Sequence, residues 1–261
     1  MKLTVVGCSG SYPGPESPAS CYLVEAEHTD ASGETRTWRI LLDLGNGALG
    51  QLHRYADPLG IDAVFLSHLH ADHCLDLCGY YVMRKYHPTG PQPRIPVWGP
   101  AGAAERMARA YDLPVEPGMS EEFAFHDYAD GENGSPVEIG PFRVEAHEVV
   151  HPVTAYALEV TAGGRTLVYS GDTAACPALD ETATDAHLLL AEASFVSGAD
   201  NPPDRHRTGA DCGRTAAAAG VERLVLTHVP PWHDPADAEA EARREWSGQV
   251  DVARAGATYD V

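Results

Sequence analysis

Four side chains that bind protons or metals crowd into six positions of the stretch "VFLSHLHADHCLDL": His68, His70, Asp72 and His73. In an extended or loop segment, residues two apart project the same way. His68 and His70 therefore converge on one point. Asp72 and His73 follow at once and face a neighbouring point. Neutral imidazole and carboxylate are good ligands for borderline divalent metals, so the four groups can give two ligands to each of two ions. A solitary histidine reads as a surface or core residue. This crowd, directly behind an apolar strand, does not, because imidazoles at such density are costly without a metal.

Two ions need further ligands, and strand ends are where to seek them. "EVVHPVTAY" supplies His151 between two expected strands, with His147 as its competitor and His151 preferred. "LVYSGDT" supplies Asp172 after an apolar run, where Gly171 permits close backbone approach. "LVLTHVPPW" supplies His228 at the end of another apolar run. Loops at a common sheet edge would bring all of these into one cleft.

The elements that must position them are legible in outline. "KLTVVG", "CYLVEAE", "TWRILLDLG" and "IDAVFLS" read as strands. A short helix is expected over "ALGQLHRYADP", and a longer one over 73–86 that Pro88 stops. "RIPVWGP" is a short strand and "AGAAERMARAYD" a helix. Then "EEFAFHDY", "FRVEAHEVV", "TAYALEVTA" and "RTLVYSGD" read as consecutive strands, with "YADGENGSP" (128–136) as a surface loop. "PALDETA" is a brief helix with Pro177 at its first turn, and "AHLLLAEASF" a strand. "TGADCGRTAAAAG" is a helix, with Thr208 and Asp211 suiting its start and Gly220 its end. The strand "ERLVLTHV" and the helix "DPADAEAEARREW", capped by Asp234, lead to "VDVARAG", which closes the chain. Strands in both halves, each followed by helices, predict an α/β (α+β) fold of two face-to-face sheets with helices outside. Nothing between the elements reads as a linker, so residues 1–261 are expected to form a single domain.

Composition narrows the partners. Eighteen Lys and Arg stand against 38 Asp and Glu, a formal charge of −20. That balance argues against a broad footprint on nucleic acid, which needs clustered cations, and against anionic membrane surfaces. No apolar stretch approaches the ~20 residues of a membrane span, and the apolar run at the N-terminus is too short for a signal peptide. Cysteines 8, 21, 74, 78, 176 and 212 show no regular framework and are expected as free thiols in a reducing cytoplasm. Cys74 and Cys78 lack the second pair of a zinc knuckle and read as small core residues. Cys21 and Cys74 flank motif segments. Tyr12, Tyr80, Tyr81, Trp98 and Trp232 lie near the expected cleft; core or rim packing is the first expectation for all five, and stacking of one of them on a base is the alternative.

H-x-H-x-D-H, a later His, "SGDT" and "LTH" at a strand end resemble the metallo-β-lactamase fold superfamily, in the right order and over nearly the whole chain. "SHLHADH", "HPVTAYALEV", "AEASF", "HRT" and "LVLTH" are similar to its tRNase Z branch. "GCSGSYPGPESPASCYL" and "LTHVPPW" resemble most the actinobacterial atypical class II cyclic-nucleotide phosphodiesterases. The resemblance implies the four-layer αβ/βα sandwich, two mixed sheets flanked by helices. It implies one metal on His68, His70 and His151, a second on Asp72, His73 and His228, and Asp172 bridging them. Zinc is the first expectation, and the mixed N/O ligands also admit Mn, Fe or Co. Members often dimerise, so a homodimer is among the expectations.

Two divalent ions ~3.5–4 Å apart can share a water, bring its pKa towards neutrality and so supply a bridging hydroxide as nucleophile. Asp72 can orient that nucleophile or take its proton. The resemblance further implies His206 of "DRHRTG" as general acid, supported by Glu192 of "EASF", since a carboxylate favours the protonated imidazole. Bacterial tRNase Z carries a long tRNA-gripping arm between the metal histidine and the "GDT" aspartate. Here about 20 residues join His151 to Asp172, enough only for a hairpin. The leading expectation is therefore a dinuclear phosphodiesterase for 3′,5′-cyclic AMP or similar small anionic diesters. A tRNase Z-like endonuclease comes second and a lactone or thioester hydrolase third. A non-catalytic metal- or partner-binding module fits a complete ligand set least.

Overall fold

The computed structural model describes residues 1–30, 32–130 and 135–261. Much of the expected loop at 128–136 thus lies outside the described residues. Tyr128, at its start, is buried in the core.

The described strands form two seven-stranded sheets. The first contains β1 (Lys2–Gly7), β2 (Cys21–Thr29), β3 (Thr35–Leu42), β4 (Ala63–Phe65), β5 (Ile95–Gly99) and β6 (Phe123–Asp127) in chain order. The second contains β7 (Val137–Ile139), β8 (Phe142–Glu148), β9 (Tyr156–Ala162), β10 (Arg165–Tyr169), β11 (Leu188–Glu192), β12 (Arg223–Thr227) and β13 (Gln249–Val252). The last strand, β14 (Thr258–Asp260), returns to the first sheet and pairs with β1. Both sheets are mixed. β1 to β3 are antiparallel and β3 to β6 parallel; β7 to β10 are antiparallel and β10 to β13 parallel.

Alternation along the strands sorts apolar side chains into layers. Ile40 and Leu42 of β3 meet Leu188 and Leu190 of β11 in the core between the sheets. Leu41 faces the other way, towards α1 (Ala48–Leu52), α3 (Leu77–Lys85) and α4 (Ala103–Ala110). Leu189 and Ala191 likewise face α5 (Pro177–Thr182), α6 (Gly209–Ala219) and α7 (Pro235–Glu245). The result is the expected four-layer sandwich, helices on two packed sheets.

Local chemistry explains several boundaries. Thr208 caps α6: its hydroxyl accepts from the Asp211 N–H, while the Asp211 carboxylate accepts from the Thr208 N–H. Gly220 ends the helix at φ 70°. Removing this capping box should cost about 1 kcal/mol. Thr208→Ala is therefore expected to lower the unfolding midpoint by about 2 °C in a thermal melt; an unchanged midpoint would show that tertiary contacts alone fix this helix start.

Three expectations need correction. The helix expected over 73–86 is two, α2 (Ala71–Cys74) and α3. At the break, the Asp76 N–H is drawn to the Leu44 carbonyl and its carboxylate accepts from the Leu49 N–H, so tertiary bonds replace helical ones. The helix expected over "ALGQLHRYADP" ends at Leu52, and Pro58 opens a separate 3₁₀ turn capped by Asp57. The chain closes on β14 rather than "VDVARAG", and the three-residue β7 was not expected. Both are too short to carry a readable alternation.

Candidate metal centre

Parallel strands that end together build the site. β10, β11 and β12 are neighbours in register, with Tyr169 opposite Leu190 and Glu192 opposite Thr227. Their carboxyl ends deliver Asp172, Glu192 and His228 side by side. In the other sheet, parallel β3 and β4 deliver Asp43 and then Ser67 and His68. Ligands in open α/β sheets sit at such carboxyl ends. The two edges are joined where the Tyr156 N–H donates to the Ser67 carbonyl, 3.0 Å. Gly171 makes the junction possible. It sits at φ 56°, and a Cβ there would meet Tyr156 O at 2.6 Å and Ser67 Cβ at 2.9 Å.

Two ligand sets share one carboxylate. His68, His70, His151 and Asp172 form the first, and Asp72, His73, Asp172 and His228 the second; within each, the ligand atoms lie within 4.8 Å of one another. In the first, His70 Nδ1 is 2.9 Å from His68 Nε2 and 3.3 Å from His151 Nε2. In the second, His73 Nε2 and His228 Nε2 are 3.1 Å apart, and Asp72 Oδ2 is 3.2 Å from His228 Nε2. Asp172 turns Oδ2 towards His68, 3.7 Å, and Oδ1 towards His73 and His228, 3.3 and 3.4 Å. His147, the competitor of His151, lies on β8 and faces Glu159, so His151 occupies the position.

The far nitrogens of four rings are held by hydrogen bonds that assign their tautomers. His151 Nδ1 donates to the Arg205 carbonyl, 2.8 Å. His73 Nδ1 donates to Asp43 Oδ2, 2.7 Å. Ser194 Oγ donates to the His228 carbonyl, which leaves it to accept from His228 Nδ1 at 2.8 Å. Ser67 Oγ donates to Asp43 Oδ2 at 2.8 Å and accepts from His68 Nδ1 at 3.1 Å. Each Nε2 is thereby left as a lone pair aimed into the cleft. Lone pairs about 3 Å apart repel unless a cation lies among them, and orientation by outer partners is characteristic of ligating histidines.

Protonation preferences agree in the first set. Burial, reinforced by His73, holds His68 well below the usual imidazole range. Burial also lowers His70 and His151. Neutral imidazole is the form that binds metal. Burial would lower His73 as well, but Asp172 and Asp43 outweigh it and push the ring well above its ordinary value. Asp172 is opposed by burial, yet His228 and His73 hold its carboxyl well below the carboxylate range. The second set thus favours positive charge in its midst.

One atom tests the fit of metal directly. Asp172 is buried, and its Oδ1 has no hydrogen-bond partner. An orphaned buried carboxylate oxygen costs several kcal/mol unless a cation satisfies it. It faces the second ligand set, and its carboxylate is shared with the first, so the residues present fit divalent cations.

Glu192 and His206 form a third group against the second set. His206 Nδ1 donates to Glu192 Oε1, 2.9 Å, and the fully buried Glu192 accepts from the Thr173 and Ser194 N–H groups. The His206 ring lies 5.4 Å from that of His151 and 5.9 Å from that of His228, spanning both sets. Burial opposes its charge, but Glu192 wins and raises it to about 9. All nine expected site residues therefore meet at one edge.

The sequence reading did not nominate Asp43. This fully buried carboxylate accepts from the Ser67 N–H, the Ser67 hydroxyl, His73 Nδ1 and the Tyr169 hydroxyl, all at 2.7–2.8 Å. Its signal was there in "ILLDLG", an acid behind an apolar strand like that of "LVYSGDT". Asp43→Asn should weaken metal affinity 10- to 100-fold, the usual cost of an outer partner. Metal titration by calorimetry checks this; wild-type affinity would show that Asp43 is only a folding hub. The six cysteines are free and join no metal cluster among the described residues. Burial raises Cys21 and pushes Cys74 up to about 12, so neither is a reactive thiol.

Residues 38–229 match the Beta-lactamase superfamily domain. The chain belongs to the beta-lactamase superfamily. It is accordingly a metal-dependent hydrolase. An uncharacterized protein of Mycobacterium leprae (strain TN) is 42% identical over 265 residues, covering all of this chain and 89% of its own length. A Ribonuclease Z of Myxococcus xanthus (strain DK1622) is 31% identical over 315 residues, covering all of this chain and 98% of its own. Among solved structures, the metallo-beta-lactamase fold protein YhfI from Bacillus subtilis superposes with a TM-score of 0.82 at 27% identity, covering 99% of this chain and 98% of that one. The sandwich and the superfamily expected from the motifs are thus found. No described helix is long and apolar enough to cross a membrane.

Proposed function

We propose that this hydrolase is a phosphodiesterase for 3′,5′-cyclic AMP or similarly small phosphodiesters. The observation that carries the reading is the pair of buried Glu192 and half-buried His206, joined at 2.9 Å and set against both ligand sets. Hydrolysis of a phosphodiester expels an alkoxide, and a cationic imidazole at that spot can protonate it. Divalent ions, two and by preference zinc, would supply an activated water and neutralise charge building on the phosphoryl oxygens. Seven side chains would hold them: His68, His70, His151, Asp72, His73, His228 and the shared Asp172. Asp72, a member of the second set, would also orient the attacking water. Because Nδ1 of His206 is engaged by Glu192, its Nε2–H is the proton available to the leaving group.

A small substrate is favoured over tRNA for two reasons. The hairpin β9–β10, closed by Gly163 and Gly164, is all that joins His151 to Asp172, so no arm emerges there. The alignment with the ribonuclease spans 315 positions against 261 residues here, so that enzyme carries segments this chain lacks. The likeness to a ribonuclease nonetheless makes RNA 3′-end cleavage the second reading. The −20 charge favours a partner held by metals rather than by a cationic surface. A cytoplasmic setting is supported by six unpaired cysteines. The test is the zinc- or manganese-loaded protein against cyclic AMP, bis(p-nitrophenyl) phosphate, a lactone and pre-tRNA. Metal-dependent turnover of the first two is expected. Turnover of the lactone alone, or of pre-tRNA alone, would overturn the reading.

A further inference from the structure

Two large aromatics stand in solvent on loops that meet the backbone at the ligand His228. Tyr12 is 45% exposed and Trp232 59%, and their rings lie 5.5 Å apart at 34°. The other three cleft aromatics, Tyr80, Tyr81 and Trp98, are buried, as a packing role requires. Tyr12 lies on the loop after β1, and Trp232 four residues beyond the ligand His228. The loops are bonded to one another: the Gly10 N–H donates to the Val229 carbonyl at 3.2 Å. Ser9 bridges to Val229, and its hydroxyl donates to the Tyr12 carbonyl at 2.7 Å. Gly10 is flush with His228; a Cβ there would meet His228 O at 2.2 Å and its Nδ1 at 3.1 Å. The aromatic pair is thus built onto the backbone that carries a ligand, and Pro13, Pro230 and Pro231 stiffen both loops.

Charge says what this wall can hold. No Lys or Arg occurs between Lys2 and Arg36, or between Arg223 and Arg243. The two loops have no cation for a phosphate and instead offer aromatic faces. A planar heterocycle is the complementary ligand, because every nucleobase has a π-face. We infer that Tyr12 and Trp232 form a stacking platform that holds the purine base of a nucleotide substrate while its phosphodiester lies on the metal centre. The inference rests on the phosphodiesterase reading. It makes the pair a specificity element rather than part of the bond-breaking machinery.

The experiment compares 3′,5′-cyclic AMP with the base-free ribose 3′,5′-cyclic phosphate on the metal-loaded protein. In Trp232→Ala the ratio of their kcat/KM values should fall about 10-fold, mostly through KM for the nucleotide, and Trp232→Phe should restore most of it. Calorimetric titration with 5′-AMP should show the same loss of affinity. Tyr12→Ala should act in the same direction, and both sites are exposed enough for the variants to fold. An unchanged ratio would overturn the platform and leave the diesterase reading intact. So would a change in sedimentation showing that the pair instead seats a second copy of the chain. Wild-type protein that hydrolyses neither diester would overturn the diesterase reading and the platform together.

Discussion

Asp172→Asn should abolish metal loading at both ligand sets, with turnover down on the order of 10³-fold or more. The carboxylate belongs to both sets, with Oδ2 towards His68 and Oδ1 towards His73 and His228. The amide keeps the volume but removes the charge and replaces one acceptor by a donor. Such a donor would point at lone pairs that the surrounding hydrogen bonds aim inwards. The readouts are metal content by elemental analysis and the melting temperature with and without chelator. In the wild type, chelation should lower stability by about 2.7 kcal/mol when free metal stands at 100 times its dissociation constant. In Asp172→Asn that gap should close. A variant that still binds two ions would mean that the orphaned Oδ1 is not a metal ligand. His147→Ala is the control, since its ring lies by Glu159 rather than at the centre.

Why the sequence displayed this site so openly follows from where ligands sit. Metal binding demands residue types that cores avoid, placed where strands end. His68, Asp172 and His228 each follow an apolar run, so type and position reinforced one another. The four layers were legible for a related reason: buried parallel strands such as "RLVLT" and "LLLAE" read as continuous apolar runs. What stayed hidden depends on contacts between distant residues. Asp43 follows an apolar run as the nominated ligands do, but only the folded chain sets Ser67, His73 and Tyr169 around it. The break between α2 and α3 is likewise made by Leu44 and Leu49, some 30 residues upstream. The choice of His151 over His147 turned on register. His147 pairs with Ala157 within the sheet, while His151 lies in the loop before β9. Burial divided five cleft aromatics into packing residues and an exposed pair, a distinction that composition cannot make.

His206→Ala should lower kcat for a phosphodiester by 10²- to 10⁴-fold, the usual contribution of a positioned acid, while metal content stays that of the wild type. The split follows from geometry. His206 Nδ1 is committed to Glu192, and the ring spans the His151 and His228 rings without being needed by either ligand set. The deficit should shrink as the leaving group improves, because p-nitrophenolate departs without protonation and a ribose alkoxide does not. Turnover of bis(p-nitrophenyl) phosphate should therefore suffer less than that of cyclic AMP. Glu192→Gln supplies the pH readout. Burial opposes the cationic ring, and Glu192 more than offsets it, holding His206 at about 9. Without that carboxylate the imidazolium is less favoured, so the alkaline limb of the kcat/KM profile should move to lower pH. Glu192 also accepts from the Thr173 and Ser194 N–H groups, beside Asp172 and His228, so metal content is measured alongside. Equal losses on both substrates, or an unmoved alkaline limb, would place His206 in positioning rather than proton transfer. Full activity of His206→Ala would return the carbonyl-hydrolase reading to first place, since the same metal ligands would serve either reaction.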